Sequence, residues 1–369
     1  MFYNSYKNAN VLVTGHTGFK GSWLSIWLKE LGANVIGYSL DPPSVPNNFE
    51  ASVIHNKLNH NYGDIRNIES LQYVFKNFQP EFVFHLAAQS LVRLSFDEPK
   101  STFDINVGGT TNVLEAAKSF PSVKVIINIT SDKCYENKEW IWGYRENDPL
   151  GGFDPYSASK GCAELVFKAY LKSFFSQSSP EKAMIGAASV RAGNVFGGGD
   201  WGKDRLLPDC VRALCCGKPV GIRNPNSIRP WQHVLEPLSG YLWLGALLRQ
   251  EPARYSGAWN LGPEDDSQIT TIKLVERFIH FWGEGSWQDC SIQNAPHEAN
   301  LLKLNCDKAH ADLQWRAVLN LDEGLRMAAD WYKKYYSFGS KEDMYPICVE
   351  QIRQYSDLAV LKALPWTEG

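Results

Sequence analysis

The chain has 369 residues with 44% hydrophobic side chains, a formal net charge of −3 and eight cysteines. This length favours two lobes, and the lack of a basic excess argues against a nucleic-acid partner. No apolar run is long enough to cross a membrane, the N-terminus does not resemble a signal peptide, and the cysteines lack zinc-site spacing, so we expect a cytoplasmic protein with reduced thiols and no metal.

Short apolar runs alternate with helical patterns through the first half of the chain. Strands are predicted at 11–13, 35–38, 82–86 and 125–129, and helices at 23–31, 68–75 and 107–117. Apolar strands that alternate with helices indicate a parallel sheet covered on both faces, and right-handed crossovers make such a sheet doubly wound. We therefore predict an α/β fold with a Rossmann domain over residues 1–190.

The first strand leads into a glycine-rich loop that opens the first helix. Its residues are Gly15, His16, Thr17, Gly18, Phe19, Lys20 and Gly21. Glycines let the backbone approach a pyrophosphate closely, and the helix N-terminus offers free N–H groups. A ribose-binding acid is expected about 20 residues later; Ser39 stands near that position, and Asp41 is either this acid or a turn residue. No arginine follows at once to receive a ribose phosphate, so NAD is favoured over NADP.

Two further groups of residues are candidates for chemistry. Tyr156 and Lys160 are four residues apart and would share a helix face, where the ammonium favours the phenolate and lowers the pKa of the phenol. Such a tyrosine can remove a hydroxyl proton while a hydride leaves for nicotinamide. The other group follows the strand at 125–129, at a strand end that faces the ligand crevice of a doubly wound sheet; it consists of Thr130, Ser131, Asp132 and Lys133. An isolated surface pair and a solvated turn are the alternatives.

The pattern changes near residue 191. Glycine and proline become frequent and the strands shorten, so we place a smaller, irregular substrate lobe at 191–369. A short strand at 258–261 is expected to return to the first lobe, which parts of 230–265 would therefore rejoin.

These motifs together resemble the extended short-chain dehydrogenase/reductase superfamily. The stretches that carry the resemblance are the glycine loop, residues 85–89 (HLAAQ), Asn106-Val107 with Gly109-Thr110, Ser131, and Tyr156 with Lys160. More narrowly, residues 15–23, 131–137, 142–146, 151–166 and 191–201 are similar to the family of CDP-glucose 4,6-dehydratases. The similarity runs from the first strand to at least His233 and thins towards the C-terminus.

The resemblance implies a lyase that uses NAD to oxidise C4 of a nucleotide-linked glucose. The C4 ketone acidifies the C5 proton, water is lost across C5 and C6, and the hydride returns to C6. Carried over, Tyr156 is the base for the C4 hydroxyl, Lys160 tunes it and holds the nicotinamide ribose, Ser131 hydrogen-bonds the same oxygen, and Asp132 protonates the departing C6 hydroxyl. Lys133 replaces the glutamate base of dTDP-glucose dehydratases, and it is either a base of lowered pKa or a cation that stabilises the enolate.

The resemblance also implies contacts to both ligands. For the cofactor, Asp64 and Ile65 correspond to the adenine contact, and the remaining assigned positions are Leu86, Ala87, Ala88, Asn106 and Thr130. For the nucleotide sugar, the candidates are Gln89, Arg93, Asn194, Arg205, Leu206, Pro208, Arg223 and Arg229. Arginine forks suit a diphosphate, although each arginine could equally form a surface ion pair.

Several alternatives stay open at this stage. A nucleotide-sugar 4-epimerase would need no acid at Asp132, the preference for cytosine over other bases rests on resemblance alone, and an NAD-binding protein without turnover would usually lack Tyr156 or Lys160. His16 stands where many relatives have a small residue, so we expect weaker NAD binding, unless its ring faces solvent and touches nothing. Relatives pair through two helices of the first lobe, which predicts a homodimer.

Overall fold

The structure is a computed structural model that describes residues 1–177, 184–263, 268–291, 301–338 and 343–368. Its strands are β1 (Asn10–Thr14), β2 (Asn34–Ser39), β3 (Asn59–Tyr62), β4 (Phe82–His85), β5 (Val125–Ile129), β6 (Gly186–Ala192), β7 (Asn194–Phe196), β8 (Val220–Ile222), β9 (Ile228–His233), β10 (Gly257–Leu261), β11 (Gln268–Thr270) and β12 (Trp287–Asp289).

Its α-helices are α1 (Phe19–Glu30), α2 (Asn48–Ala51), α3 (Ile68–Phe78), α4 (Val92–Asp97), α5 (Pro99–Phe103), α6 (Thr110–Ser119), α7 (Pro155–Tyr170), α8 (Leu206–Cys215), α9 (Leu235–Gln250), α10 (Pro252–Tyr255), α11 (Thr271–Trp282), α12 (Leu321–Phe338) and α13 (Tyr345–Leu361). None of the helices in the described ranges is both long and apolar enough to span a membrane.

Seven parallel strands form the main sheet, in the order β10-β6-β5-β4-β1-β2-β3. The chain moves outwards from β1 through β2 to β3, and then returns to build β4, β5 and β6 on the other side. The strand order therefore reverses between β1 and β4, which is where open α/β sheets bind their ligands. This topology confirms the predicted doubly wound fold.

Both faces of the sheet are covered because its strands are apolar on both sides. Along β5, Val125 and Ile127 belong to a core cluster shared with α1 and α9, whereas Ile126 points to a cluster shared with α3, α6 and α7. This alternation follows from the two-residue period of a strand. The predicted strands and helices of this half are present, with boundaries shifted by a few residues.

Part of the second half of the chain returns to the main sheet, and the rest forms separate structure. β10 pairs in parallel with β6 at the sheet edge, and α9 packs against β5 and β6. Two small sheets, β11-β9-β7 and β12-β8, lie beyond the main one. β7 follows β6 after a single residue, so the small sheet begins next to the carboxyl ends of the main strands.

Candidate functional site

Glycines shape the loop between β1 and α1. Gly15 has φ +75°, and a Cβ atom on it would lie 2.7 Å from the backbone nitrogen of Ala87. A Cβ atom on Gly21 would lie 2.1 Å from the carbonyl oxygen of Gly15. The loop therefore folds tightly on itself and against the segment after β4, with the N-terminus of α1 beside it. This is the backbone cradle that a pyrophosphate requires.

The predicted adenosine contacts gather near the ends of β2 and β3. The Thr17 hydroxyl lies 2.8 Å from the Ser39 hydroxyl and donates to the Leu40 carbonyl at 2.9 Å, so the glycine loop is tied to the end of β2. Asp41 is exposed next to this end. Asp64 follows β3, and hydrogen bonds from Arg66 hold the pKa of its carboxyl below the ordinary value.

Beside Asp64, the Ile65 side chain is buried. A Cβ atom on Gly109 would lie 2.4 Å from its Cδ1 atom. The Asn112 amide donates to the carbonyl oxygen of Ile65 at 3.0 Å. The side chain and the carbonyl oxygen of Ile65 are therefore both held by the segment from Gly109 to Asn112.

The ring of His16 is buried and does not face solvent. Its Nε2 atom lies 2.7 Å from Nδ1 of His60, and its ring centroid is 5.3 Å from that of Phe49. Burial first, and then the neighbouring His60, lower the pKa of His16 to about 3, so the imidazole is neutral. The alternative of a ring that touches nothing is wrong.

Four residues meet at the carboxyl end of β5 and the start of α7, and we refer to Ser131, Asp132, Tyr156 and Lys160 as the catalytic cluster. The Ser131 hydroxyl donates to Oδ1 of Asp132 at 2.9 Å, and Ser131 also acts to lower the pKa of the Tyr156 phenol beside it. Asp132 is 2% exposed, and its Oδ2 atom has no hydrogen-bond partner among the described residues. One buried carboxylate oxygen of Asp132 is thus left without a partner from these residues.

Helix α7 carries the tyrosine and the lysine. It begins at Pro155, where Asp154 caps it by accepting from the backbone N–H of Ser157 at 2.9 Å. The Lys160 Nζ atom lies 6.0 Å from the centre of the Tyr156 ring. Burial raises the pKa of Tyr156 to about 12 and lowers that of Lys160 to about 8. The net shift of the phenol pKa is thus upward, opposite to the lowering that was predicted from the ammonium.

Lys20 brings a second ammonium to this cluster. It follows Phe19 at the start of α1, and Lys160, Arg205 and Asp132 all contribute to its electrostatic environment. Burial first, and then repulsion from Lys160 and Arg205, lower the pKa of Lys20 to about 7. The sequence predicted Lys20 as part of the cofactor loop, and the structure places its side chain beside the catalytic cluster as well.

Hydrogen bonds fix the segment after β4. The backbone N–H of Gln89 donates to Oδ1 of Asn106 at 2.9 Å, and the Asn106 amide donates to the Ser159 hydroxyl on α7 at 2.9 Å. The Gln89 amide itself donates to the Thr102 hydroxyl at 2.9 Å. Gln89 and Asn106 therefore hold residues 86–88, with Leu86, Ala87 and Ala88 half-buried beside the glycine loop.

Three of the predicted substrate arginines form ion pairs. Arg205 bonds Asp200 at 3.1 Å and the Ser90 hydroxyl at 3.2 Å, which links the second half of the chain to the first. Arg223 pairs with Asp204 at 2.7 Å, and Arg93 lies 3.6 Å from the same carboxylate. Of the three, Arg205 is the one that lies beside Lys20 and Tyr156.

The remaining predicted contacts lie around the small sheet. Asn194 is on β7, and Leu206 and Pro208 are in the first turn of α8. Arg229 is buried on β9 and donates to the carbonyl oxygen of Ile228 at 3.1 Å. Lys133 is half-buried after Asp132, and its backbone N–H donates to the Ser131 hydroxyl at 3.2 Å.

Sequence reasoning missed a buried charged pair below the catalytic cluster. Glu164 on α7 and Arg191 on β6 bond at 2.7 Å with side chains 2% and 3% exposed. The spacing was visible, because Glu164 follows Lys160 by four residues and so shares its helix face. The Thr130 hydroxyl, predicted as a cofactor contact, donates to this glutamate at 2.5 Å.

Comparisons with known proteins agree with this geometry. The family model described as "NAD dependent epimerase/dehydratase family" matches residues 11–262. The chain is 49% identical over 352 residues to CDP-glucose 4,6-dehydratase of Salmonella typhimurium, covering 95% of this chain and 97% of that protein. It is 31% identical to CDP-paratose 2-epimerase of Salmonella typhi, with 87% and 98% covered.

Among solved structures, a similar fold is that of DesIV, a dTDP-glucose 4,6-dehydratase from Streptomyces venezuelae with NAD and TYD bound. The TM-score is 0.74 at 22% sequence identity, over 89% of this chain and 98% of that one. At this identity the likeness shows the fold.

Proposed function

This chain belongs to the NAD-dependent epimerase/dehydratase family, and from that premise we propose that it converts CDP-glucose into CDP-4-keto-6-deoxyglucose. The observation that carries the proposal is the position of Asp132. Its carboxylate is buried next to Ser131 and Tyr156, with one oxygen unpartnered among the described residues. A dehydratase needs an acid at this place to expel the C6 hydroxyl, whereas a 4-epimerase has no use for one.

The residues present fit NAD, the cofactor of the family. The loop can fold into its cradle only because Gly15 and Gly21 lack a Cβ atom, which would meet the backbone of Ala87 and of Gly15 itself. Asp64 and Ile65 would hold the adenine, and Lys160 the nicotinamide ribose. Bound NAD supplies a hydride acceptor that becomes the donor later in the same turnover.

The catalytic cluster supplies the proton transfers. Tyr156, which lies beside Ser131, accepts the proton of the C4 hydroxyl as C4 is oxidised. Lys160 stays protonated and stabilises the phenolate, which is the form of Tyr156 that accepts this proton. Asp132 then delivers a proton to the C6 hydroxyl as it leaves as water. Lys133 either accepts the C5 proton or, as a cation, stabilises the enolate left by its removal.

We further propose how the chain divides the work and assembles. Residues 1–190, rejoined by parts of 230–265, hold the cofactor, and the rest of 191–369 binds the nucleotide, with Arg205 and Arg229 on the diphosphate. The pairing face of a homodimer would be that of α6 and α7, where Leu165 is 56% exposed. The eight cysteines, all within the described residues, form no disulfide, which supports a cytoplasmic protein.

The proposal is tested in three separate incubations of the protein with NAD, one each with CDP-glucose, dTDP-glucose and GDP-mannose. The products are identified by NMR. We expect a 4-keto-6-deoxy product from CDP-glucose. A C4 epimer as the sole product would show that the chain is an epimerase. Faster dehydration of dTDP-glucose or GDP-mannose would show that another nucleotide-hexose is the substrate.

A further inference from the structure

The carboxylate of Glu164 is the meeting point of a buried hydrogen-bond network. Its Oε1 atom accepts from the Thr130 hydroxyl at 2.5 Å, and its Oε2 atom accepts from the Ser189 hydroxyl at 2.8 Å and from Arg191 at 2.7 Å. Arg191 donates onwards to the Tyr135 hydroxyl at 2.7 Å. A carboxylate buried this deeply is tolerated because charged and neutral donors satisfy both of its oxygens.

This network joins the two segments that carry the catalytic cluster. Glu164 lies one helical turn after Lys160 on α7, and Thr130 directly precedes Ser131 and Asp132 at the end of β5. The hydrogen bond between Thr130 and Glu164 is therefore a direct tie between the helix that bears the base and the strand end that bears the acid. Ser189 and Arg191 anchor the same carboxylate to β6, which pairs with β5.

Glu164 also stands out among the charges around Lys160. The titratable groups that face the ammonium come from α1, β4, the turn after β5 and α7 itself, and they are Lys20, His85, Cys134, Tyr156 and Glu164. Burial raises the pKa of the Cys134 thiol and of the Tyr156 phenol, and lowers that of His85 to about 3, so these three are neutral near pH 7.

Glu164, in contrast, is ionised. Burial acts to raise the pKa of its carboxyl, but Arg191 and the three hydrogen bonds hold the pKa below the ordinary value. Of these five groups, Glu164 is thus the one with a negative charge near pH 7, and Asp132 is the further carboxylate of the catalytic cluster. Burial lowers the pKa of Lys160 to about 8, and the negative charge of Glu164 opposes that fall.

We propose that Glu164 is a positioning residue, whose carboxylate holds α7 in register with the end of β5 and keeps the Lys160 ammonium charged during turnover. Arg191 in turn keeps Glu164 ionised. The inference rests on the proposed function, because it concerns the same site.

The test is the pH dependence of kcat for wild type and Glu164→Gln at saturating CDP-glucose and NAD. The active form of Lys160 is protonated, so wild-type activity should fall as the pH rises through about 8. Glutamine keeps an acceptor for Thr130 but removes the charge, and Arg191 then acts on Lys160 unopposed. We expect the alkaline limb, the part of the profile where kcat falls with rising pH, to lie roughly one unit lower in Glu164→Gln. At more acidic pH, the kcat of this variant should approach that of wild type.

Two variants serve as controls. Ser189→Ala removes one donor to the same carboxylate and leaves its charge, so the thermal midpoint should fall while the alkaline limb stays in place. Glu164→Asp keeps the charge but shortens the reach to Thr130, so kcat should fall at every pH with the limb unmoved. Glu164→Asp also keeps the proposal testable if Glu164→Gln does not fold.

The proposal is wrong if Glu164→Gln lowers kcat by the same factor at every pH and its alkaline limb stays at the wild-type pH. Glu164 would then have a structural role alone. A shifted limb in Glu164→Asp would equally overturn the electrostatic part. Failure of the proposed function is a separate outcome, because the wild-type protein would then give no 4-keto-6-deoxy product from CDP-glucose.

Discussion

Asp132 is the residue that separates the proposed reaction from others in the family. Oxidation at C4 needs a base, and we assign that role to Tyr156, which lies beside Ser131. Loss of water needs an acid as well, and Asp132 is a buried carboxyl within hydrogen-bond reach of Ser131. The two roles therefore belong to adjacent side chains on different segments, the end of β5 and the start of α7.

The substitution Asp132→Asn should uncouple the two halves of the reaction. The new amide can still accept from Ser131 but has no carboxyl proton to donate, so C4 should still be oxidised while product formation falls by about 10²–10⁴-fold. Single-turnover absorbance of the reduced nicotinamide would show it accumulating, and NMR would show the missing product. The exposed Asp312→Asn is the matched control. An unchanged rate of product formation would remove Asp132 from the mechanism.

His16 is a second residue with a measurable effect. Its ring occupies space above Gly37, where a Cβ atom would lie 2.3 Å from the imidazole, and it is held there by His60. Because this bulk lies in the loop that approaches the pyrophosphate, His16→Ala should bind NAD more tightly in calorimetry. His60→Ala, which removes the hydrogen bond but leaves the ring, is the comparison. Tight NAD retention by wild type, unchanged in His16→Ala, would refute the hypothesis.

At the level of elements, α9 anchors the C-terminal part of the chain. Glu236 in its first turn is 1% exposed and accepts from the backbone N–H of Leu319 at 2.7 Å and from the Tyr355 hydroxyl on α13 at 2.8 Å. Burial raises the pKa of this carboxyl to about 7. One side chain thus connects the helix behind the sheet to the segment before α12 and to α13.

Removing that acceptor should destabilise the protein. Glu236→Ala leaves several buried donors without a partner, so the free energy of unfolding should fall by about 2–4 kcal/mol. Chemical denaturation measures this, and Glu323→Ala, which removes an exposed carboxylate at the start of α12, should cost under about 1 kcal/mol. Equal losses in the two variants would show that Glu236 has no special part in this docking.

The sequence predicted strands and helices correctly where a short run of neighbouring residues carries the pattern. The run at 125–129 is β5 residue for residue, because four apolar side chains and one asparagine between polar flanks suit a strand buried on both faces. α1 begins at Phe19, four residues before the predicted start, because its first turn belongs to the glycine loop. Residues 104–109 form a π-helical turn before α6, which helical periodicity does not reveal.

Other features depend on contacts that a sequence does not display. α9 is buried on nearly all sides, so it has no polar face from which to read a helical period. The short strands β7, β9 and β11 contain polar residues and a proline, and they form through pairing with one another. In the site, the residue types of the catalytic cluster could be predicted, whereas its tie to Glu164 depends on how β5, β6 and α7 pack.

On the scale of the whole molecule, one crevice collects all the proposed chemistry. The sheet reverses its strand order between β1 and β4, so the glycine loop and the segment after β4 face each other there. The end of β5 adds the acid, α7 adds the base, and Arg205 reaches across from the start of α8. In the proposed reaction, NAD bound in this crevice would accept the hydride from the sugar and return it before the product is released.

The central claim is that the hydride taken from C4 returns to C6 of the same sugar. CDP-glucose that carries deuterium at C4 tests this claim most directly. Turnover with unlabelled NAD in ordinary water, followed by NMR of the product, locates the label. The account predicts deuterium at C6 of a 4-keto-6-deoxy sugar. Deuterium retained at C4 of an epimerised sugar, or lost from the product altogether, would contradict it.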